Sequence, residues 1–162
     1  DPLLGWDILT DCLKQGGLIK IGLYSTLGRQ HIEKIRQEIR QSGAGTSDDE
    51  MRLFRKMITN SDRNHHKKIQ NHSDFYSLSE LKDLLFHVQE HTFSIPQIKD
   101  CLKKLGLKFC GFEALSIIDQ FKLTHTNRDD LYNLDKWHAY EEANPSTFAG
   151  MYQFWCQKVA IS

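Results

Sequence analysis

The sequence lacks the features that identify several large classes of protein. It has no run of about 18 apolar residues, which a membrane-spanning helix requires. Basic and acidic residues both number 21, so no net positive charge indicates binding to nucleic acid or to a membrane surface. A charged-then-apolar leader that ends in small residues is also missing. We therefore expect a cytoplasmic protein with neither a nucleic acid nor a membrane partner.

Cysteine pairs are missing as well. Among the four cysteines (Cys12, Cys101, Cys110 and Cys156) no two form a C-x-x-C motif, and all four have apolar neighbours in the sequence. We expect reduced thiols in the core, with neither a disulfide framework nor a catalytic cysteine.

The length of 162 residues suits one ordinary domain, so residues 1–162 are predicted to form a single domain.

The first 25 residues predict a helix followed by a strand. In "DPLLGWDILTDCLKQGG", Leu4, Ile8 and Cys12 recur at a spacing of one helical turn, and two glycines end the segment. The next segment, "LIKIGLYS", has alternating aliphatic residues and predicts a strand. A well-defined helix therefore leads directly into a sheet.

Residues 26–80 predict a helical insertion. Isoleucines at helical spacing indicate one half-exposed helix, and Ser47 with Glu50 forms a capping box that starts another. Residues 60–74, "NSDRNHHKKIQNHSD", contain one apolar residue and are predicted to be a mobile surface loop. The loop histidines are then solvated, and we expect no metal site there.

The segment "HVQEH", from His87 to His91, matches the H-x-x-E-H pattern of zinc peptidases. Zinc binding by this pattern requires both histidines one turn apart on a continuous helix. Capping boxes that start at Ser77 and Ser94 instead place His87 at the end of one helix and His91 before the next. A zinc hydrolase is therefore the least favoured of our hypotheses.

The C-terminal part alternates between strands and helices. "LKFCGFEA" predicts a strand, "LDKWHAYEEA" a short helix that ends at Asn144-Pro145, and "MYQFWCQKV" an aromatic-rich strand. The chain as a whole is thus predicted to be an α/β protein.

Three of these segments resemble class I S-adenosylmethionine-dependent methyltransferases. "DCLKQGGLIKIGLYS" is similar to the helix and glycine turn that lead into the fifth strand of that family. "SIPQIKDCLKKLGLKFCGFE" resembles its later helix and sixth strand, and "YQFWCQKV" its antiparallel seventh strand. Together with "LDKWHAYEEANPSTFAGMYQFWCQK", they look like the C-terminal part of bacterial methyltransferases that often follow tetratricopeptide repeats.

This resemblance implies a partial Rossmann-like fold with a small three-stranded mixed sheet in the family's order 5-7-6. The glycine-rich loop that binds the cofactor has no counterpart, since neither "IGLYSTLG" nor "SGAG" follows a strand and opens a helix in the required way. The chain therefore looks like the C-terminal half, either excised or encoded as a truncated gene. S-adenosylmethionine is the cofactor of the intact family protein, and we expect none to bind this chain alone.

The resemblance also implies the site residues. In open α/β sheets ligands lie beyond the carboxyl ends of the strands, so Tyr24 and Ser25 would face the methyl acceptor. The polar residues of "HVQEH" would line the same region, with Glu90 or His91 as the acceptor-contacting group or base. The remaining predicted substrate-binding residues are His87, Gln89 and Trp137.

A different kind of function is left open by the same observations. Without the family's fourth strand, one edge of "LIKIGLYS" would be unpaired, and such an edge tends to recruit another chain. The partner would be the missing N-terminal half or, for a truncated binding or assembly module, a homodimer mate. We expect this edge to be covered by a helix or by a second chain.

Overall fold

The computed structural model describes residues 2–86 and 90–159. It divides the chain into two compact units. The sheet unit comprises Asp1–Gly28 and His91–Ser162, and the helical unit comprises Arg29–Glu90. The helical unit thus interrupts the sheet unit, with bounds that differ from those of the predicted insertion, 26–80. That residues 1–162 form a single domain stays a prediction.

The sheet unit alternates between helices and strands, so the α/β class is correct. Its elements are α1 (Pro2–Asp11), β1 (Leu18–Ser25), β2 (Thr92–Phe93), α6 (Ile95–Lys104), β3 (Leu107–Phe112), α7 (Leu115–Lys122), a 3₁₀ turn (Arg128–Tyr132), α8 (Leu134–Ala143) and β4 (Tyr152–Lys158). The predicted capping box is present at the start of α6, where Ser94 and Gln97 bond each other's backbone N–H. This cap fixes where the chain enters α6.

The described strands form a four-stranded mixed sheet in the order β2-β1-β4-β3. β4 is antiparallel to both of its neighbours, with Ile21 opposite Phe154 on one side and Phe112 opposite Phe154 on the other. The predicted placement of "MYQFWCQKV" between the two earlier strands is therefore confirmed. The number of strands was wrong, because Thr92 and Phe93 pair in parallel with the last two residues of β1. Two residues carry no detectable strand periodicity.

One face of the sheet carries the aromatic core of this unit. Phe112 lies 5.0 Å from Trp137 and 4.6 Å from Phe148, measured between ring centroids. Tyr152 and Phe154 contribute further rings from alternate positions of β4, and both are fully buried. Aromatic pairs in this range of distance and tilt add to the free energy gained by burial. The core thus joins α8 to the middle of the sheet.

Helix α1 forms as predicted, but the opposite face packs on the sheet. Leu4 and Ile8 are 59% and 56% exposed, and Cys12 is exposed too. Trp6 instead stacks on Phe93, with ring centroids 5.9 Å apart and planes 17° apart. Leu3 packs against the same core, so α1 buries the face that carries Trp6. The aliphatic stripe is consequently left open to solvent.

The helical unit is built around its own apolar core. Its elements are α2 (Gln30–Ser42), α3 (Asp48–Thr59), α4 (Asn64–Ile69), a 3₁₀ turn (Ser73–Phe75), α5 (Leu78–Leu81) and a π-helical turn (Lys82–Phe86). The predicted capping box of Ser47 and Glu50 starts α3. Ile32 and Ile35 of α2 and Ile58 of α3 are fully buried in this core. Isoleucines at helical spacing therefore indicated the packed face correctly.

The prediction of an unstructured loop at 60–74 was wrong. Residues Asn64–Ile69 form α4, and Ile69, the single apolar residue of the segment, is fully buried. His66 is also fully buried, and its Nε2 bonds Glu38, whereas its Nδ1 has no hydrogen-bond partner among the described residues. A polar segment can fold in this way when buried side chains find hydrogen-bond partners. Composition alone misses such pairing.

The helix predicted from Leu78 changes its geometry after one turn. α5 ends at Leu81 and a π-helical turn follows, which is often a feature of functional sites. Arg36 donates two hydrogen bonds to the carbonyl of Leu84, from Nε at 3.1 Å and from Nη2 at 2.8 Å. The guanidinium thus satisfies a backbone acceptor within the widened turn.

The cysteines are all free thiols, and their burial differs. Cys101 and Cys156 are buried as expected, whereas Cys110 is half-buried and Cys12 is exposed. Burial raises the pKa of the Cys156 thiol to about 12, which makes it unreactive.

Among the described residues, no helix combines the length and apolar character needed to cross a membrane.

Candidate functional site

The carboxyl end of β1 holds a buried hydrogen-bond network. Ser25, the last residue of β1, is fully buried and donates a hydrogen bond of 2.5 Å to Oε1 of Glu141 on α8. The same hydroxyl oxygen accepts a bond of 2.9 Å from the backbone N–H of Gly28. Tyr152, the first residue of β4, donates to both oxygens of Glu141, at 2.8 and 2.7 Å. One carboxyl group thereby joins α8 to β1 and to β4.

The surroundings of Glu141 shift the pKa of its carboxyl group. Burial raises the pKa of this carboxyl group, and the hydrogen bonds from Ser25 and Tyr152 oppose that effect only in part. Burial likewise raises the pKa of the Tyr152 hydroxyl above its ordinary value. Neither group is fitted to exchange protons with solvent, because both are fully buried. The network is therefore suited to positioning.

The network positions the turn that follows β1. Gly28 is buried in this turn, and a Cβ at that position would lie only 2.4 Å from the carbonyl oxygen of Phe148. Glycine is therefore required for the close backbone approach. Ser25, through its bond to the Gly28 N–H, holds the turn against that carbonyl. Glu141 and Ser25 together fix the backbone at the carboxyl end of β1.

Glu90, in the helical unit, is held by two arginines. Arg36 donates from Nη2 to Oε2 at 2.9 Å. Arg29 brings its Nε to 3.3 Å from Oε1, an ion-pair distance at which the N–H is not aligned for a hydrogen bond. Oε1 is consequently buried without a hydrogen-bond donor among the described residues. A buried oxygen that lacks a hydrogen bond calls for an explanation, and one such explanation is a catalytic or binding role.

A cavity of about 440 Å³ adjoins Glu90 within the helical unit. Its polar wall is formed by Glu33, Arg36, Arg40 and Glu90, and its apolar wall by Ile39, Leu85 and Phe86. Arg40 is itself paired with Glu33 at 2.6 Å. This volume falls within the roughly 300 to 1,000 Å³ of small-molecule sites. The cavity can accept a compact ligand that has both polar and apolar parts.

The remaining predicted site residues lie in different environments. Tyr24 is half-buried on β1 opposite Thr92, and His91 is exposed outside any helix. Trp137 is fully buried, donates its indole N–H to the Leu131 carbonyl at 3.0 Å and stacks on Phe121. His87 and Gln89 lie outside the described residues. Glu90 and His91 are not helical, so they do not have the conformation that an H-x-x-E-H zinc site needs.

Three of the residues that build these sites were missed from the sequence. Glu141 follows Leu134 and Trp137 at i+7 and i+4 and so occupies the buried face of α8. An acidic residue on an apolar face was the signal that could have indicated a buried carboxyl group. Arg29, directly before α2, and Arg36, within it, are seven residues apart, but nothing in the sequence indicates Glu90 as their partner. A scan against models of known protein families finds none that matches this chain.

Proposed function

We propose that this chain is the C-terminal, acceptor-side part of a class I S-adenosylmethionine-dependent methyltransferase, of the kind that often follows tetratricopeptide repeats in bacteria. The observation that carries the proposal is β4, which runs antiparallel between β1 and β3. A reversed last strand between two strands that are parallel to each other is the arrangement implied by the three quoted segments. S-adenosylmethionine would be held by the missing cofactor-binding half, and the chain alone would be inactive.

The open edge of β1 supports a missing neighbouring strand. The N–H of Thr26 bonds the carbonyl of Phe93 on the β2 side, and N–H groups alternate along a strand, so those of Lys20 and Gly22 point to the same edge. β2 pairs only with Tyr24 and Ser25, and no described strand lies against the remainder of this edge. The fourth strand of the methyltransferase fold would occupy that place.

The exposed apolar face of α1 is consistent with the same partner. Leu4 and Ile8 lie one turn apart and are more than half exposed, as is Leu9. Several large apolar residues exposed on one helix are typical of a surface that another part of the protein covers. In the proposed assembly, the cofactor-binding half covers both this face and the open edge of β1.

The methyl acceptor would occupy the cavity beside Glu90. In methyl transfer of this class, the protein mainly holds the acceptor atom in line with the sulfonium, and a base is needed only for an acceptor that loses a proton. Oε1 of Glu90 is the oxygen placed to accept that proton, since Arg36 bonds the other one. His91 stays the alternative base predicted from the sequence, and Tyr24, His87 and Gln89 stay contacts predicted from the sequence, and none of these predictions depends on this cavity. Ser25 and Trp137 would act by positioning, because both are buried.

Hydrogen exchange at β1 tests this proposal. We expect the amides of Lys20 and Gly22 to exchange quickly in the chain alone, whereas those of Ile19 and Ile21, which face β4, are protected and serve as internal controls. The chain would then be mixed with a cofactor-binding half, taken from a methyltransferase whose own C-terminal half holds the three quoted segments. Lys20 and Gly22 should become protected only in that mixture.

Two other results would contradict the proposal. Protection of Lys20 and Gly22 that rises with the concentration of the chain alone would favour the second candidate, an assembly module that dimerises through this edge. Sedimentation analysis of the same samples would then show the dimer. Protection in the dilute chain alone would mean that the edge is already covered within the monomer.

A further inference from the structure

Two neighbouring histidines converge on one carboxylate in the helical unit. Nε2 of His65 lies 2.8 Å from Oε1 of Glu38, and Nε2 of His66 lies 2.6 Å from Oε2. The two imidazole rings are in contact, with centroids 4.4 Å apart. Consecutive helical residues ordinarily point about 100° apart, so this convergence is unusual. Among the described residues, no other group of three or more histidine, cysteine and acidic side chains lies close enough to share one metal ion.

The local fold explains how the cluster forms. α4 is a single short helix that begins directly after Arg63 and is anchored by Ile69, which is fully buried. This anchor turns His66 into the core, where its ring is fully buried, and leaves His65 at the rim with 21% of its side chain exposed. Glu38 reaches the pair from α2 and is 23% exposed. The site is therefore fixed on one side and adjustable on the other.

We propose that Glu38, His65 and His66 form a binding site for a divalent transition metal of the zinc class. Two imidazole nitrogens and one carboxylate are the ligand set of many zinc sites that keep one position open. The ligand atoms of the three side chains lie within 4.8 Å of one another. This site is independent of the methyltransferase proposal and of the H-x-x-E-H pattern.

The distances are compatible with a metal after a small adjustment. With bonds of about 2.0 to 2.2 Å, tetrahedral ligands lie roughly 3.3 to 3.5 Å apart. The observed separations of 2.8 and 2.6 Å are those of hydrogen bonds, so the two pairs of ligands must open by roughly 0.5 to 0.9 Å. His65 and Glu38 can move this far because they are partly exposed. The buried His66 need not move.

The electrostatics of Glu38 also suit a cation. Glu38 lies where positive charge collects, because the ring nitrogens of His65 and His66 both contact its carboxylate. Arg63 supplies a third contact, from Nη1 to Oε1 at 2.8 Å. Its side chain is 63% exposed and can withdraw into solvent. Without a metal, the guanidinium of Arg63 supplies the positive charge beside the Glu38 carboxylate.

An open coordination position would face a second cavity. This cavity has a volume of about 700 Å³ and is lined by Glu38, Arg63 and His66 together with Phe54 and Met57. A metal at the cluster would therefore be reached from solvent without unfolding α4. A water molecule or a small ligand could complete its coordination.

Metal titration of the chain tests the proposal. After treatment with a chelator, we expect one Co²⁺ per chain to bind with the visible absorption of a tetrahedral complex, and Zn²⁺ to displace it. Glu38→Gln and His65→Ala should each weaken Zn²⁺ binding at least about tenfold. Arg63→Ala should strengthen it severalfold, because a competing cation is removed. An increase of affinity in one variant cannot result from loss of folding.

Two control variants separate this cluster from other sites. Glu33→Gln removes an exposed carboxylate from the same helix, and His91→Ala removes a histidine of the H-x-x-E-H pattern. Both should bind Zn²⁺ as the wild type does, with circular dichroism showing that every variant is folded. The proposal is overturned if Zn²⁺ and Co²⁺ do not bind stoichiometrically, or if Glu38→Gln and His65→Ala bind them unchanged. Loss of binding in His91→Ala would also overturn it.

Discussion

Replacing Glu141 with alanine is expected to lower the free energy of unfolding by about 2 to 6 kcal/mol. The change removes the acceptor to which the buried O–H groups of Ser25 and Tyr152 donate, at about 1 to 3 kcal/mol for each unsatisfied donor. Urea denaturation followed by circular dichroism measures the loss. The neighbouring Glu142→Ala is a matched control, because Glu142 is exposed and its loss should cost no more than about 0.5 kcal/mol. Equal effects of the two substitutions would contradict the positioning role of Glu141.

The pH dependence of the same site has a defined sign. The folded-state pKa of Glu141 lies above the ordinary carboxyl value of 4.5, so the native state binds this proton more tightly than the unfolded state does. The contribution of Glu141 to stability is therefore complete at low pH and decreases as pH rises from 4.5 through the folded-state pKa. Glu141→Gln cannot lose a proton, so its stability relative to the wild type should improve over that range. A difference that does not change with pH would contradict the raised pKa.

Replacing Trp137 with alanine is expected to lower the free energy of unfolding by about 3 to 5 kcal/mol. The indole is fully buried, stacks on Phe121 at 3.7 Å between ring centroids and bonds the Leu131 carbonyl. Its replacement leaves a cavity in the aromatic core between α8 and the sheet. Chemical denaturation gives the value directly.

Trp155→Ala is the matched control for this substitution. Trp155 lies on β4 but is 40% exposed, so its loss should cost clearly less than that of Trp137. Trp137→Phe should recover part of the stability, because a ring again fills the space against Phe121. If Trp137→Ala is as stable as the wild type, the indole does not support the core, and its predicted role in binding substrate regains support.

The elements with strong local signals were predictable from the sequence. The capping boxes at Ser47 and Ser94 fix the starts of α3 and α6, because reciprocal side-chain and backbone bonds there depend on four consecutive residues. β1 and β4 were evident from alternation and aromatic content. The order of the three long strands came from the resemblance to methyltransferases and not from these patterns.

The features that were missed depend on contacts between distant residues. The direction in which α1 packs was decided by the stacking of Trp6 on Phe93, which the aliphatic spacing does not reveal. α4 packs through the buried Ile69 and through His66, which bonds Glu38, 28 residues earlier in the chain. Pairing over such a separation is invisible to local periodicity. The same limit applies to Glu90, whose arginine partners lie more than 50 residues earlier in the chain.

Calorimetric titration with S-adenosylmethionine tests the central claim most directly. Three samples are compared: the chain alone, the cofactor-binding half alone and their equimolar mixture. We expect no saturable binding to the chain alone, and tighter binding by the mixture than by the isolated half, because the completed sheet closes the site. Micromolar binding of S-adenosylmethionine to the chain alone, or a mixture that binds no better than the isolated half, would contradict the account.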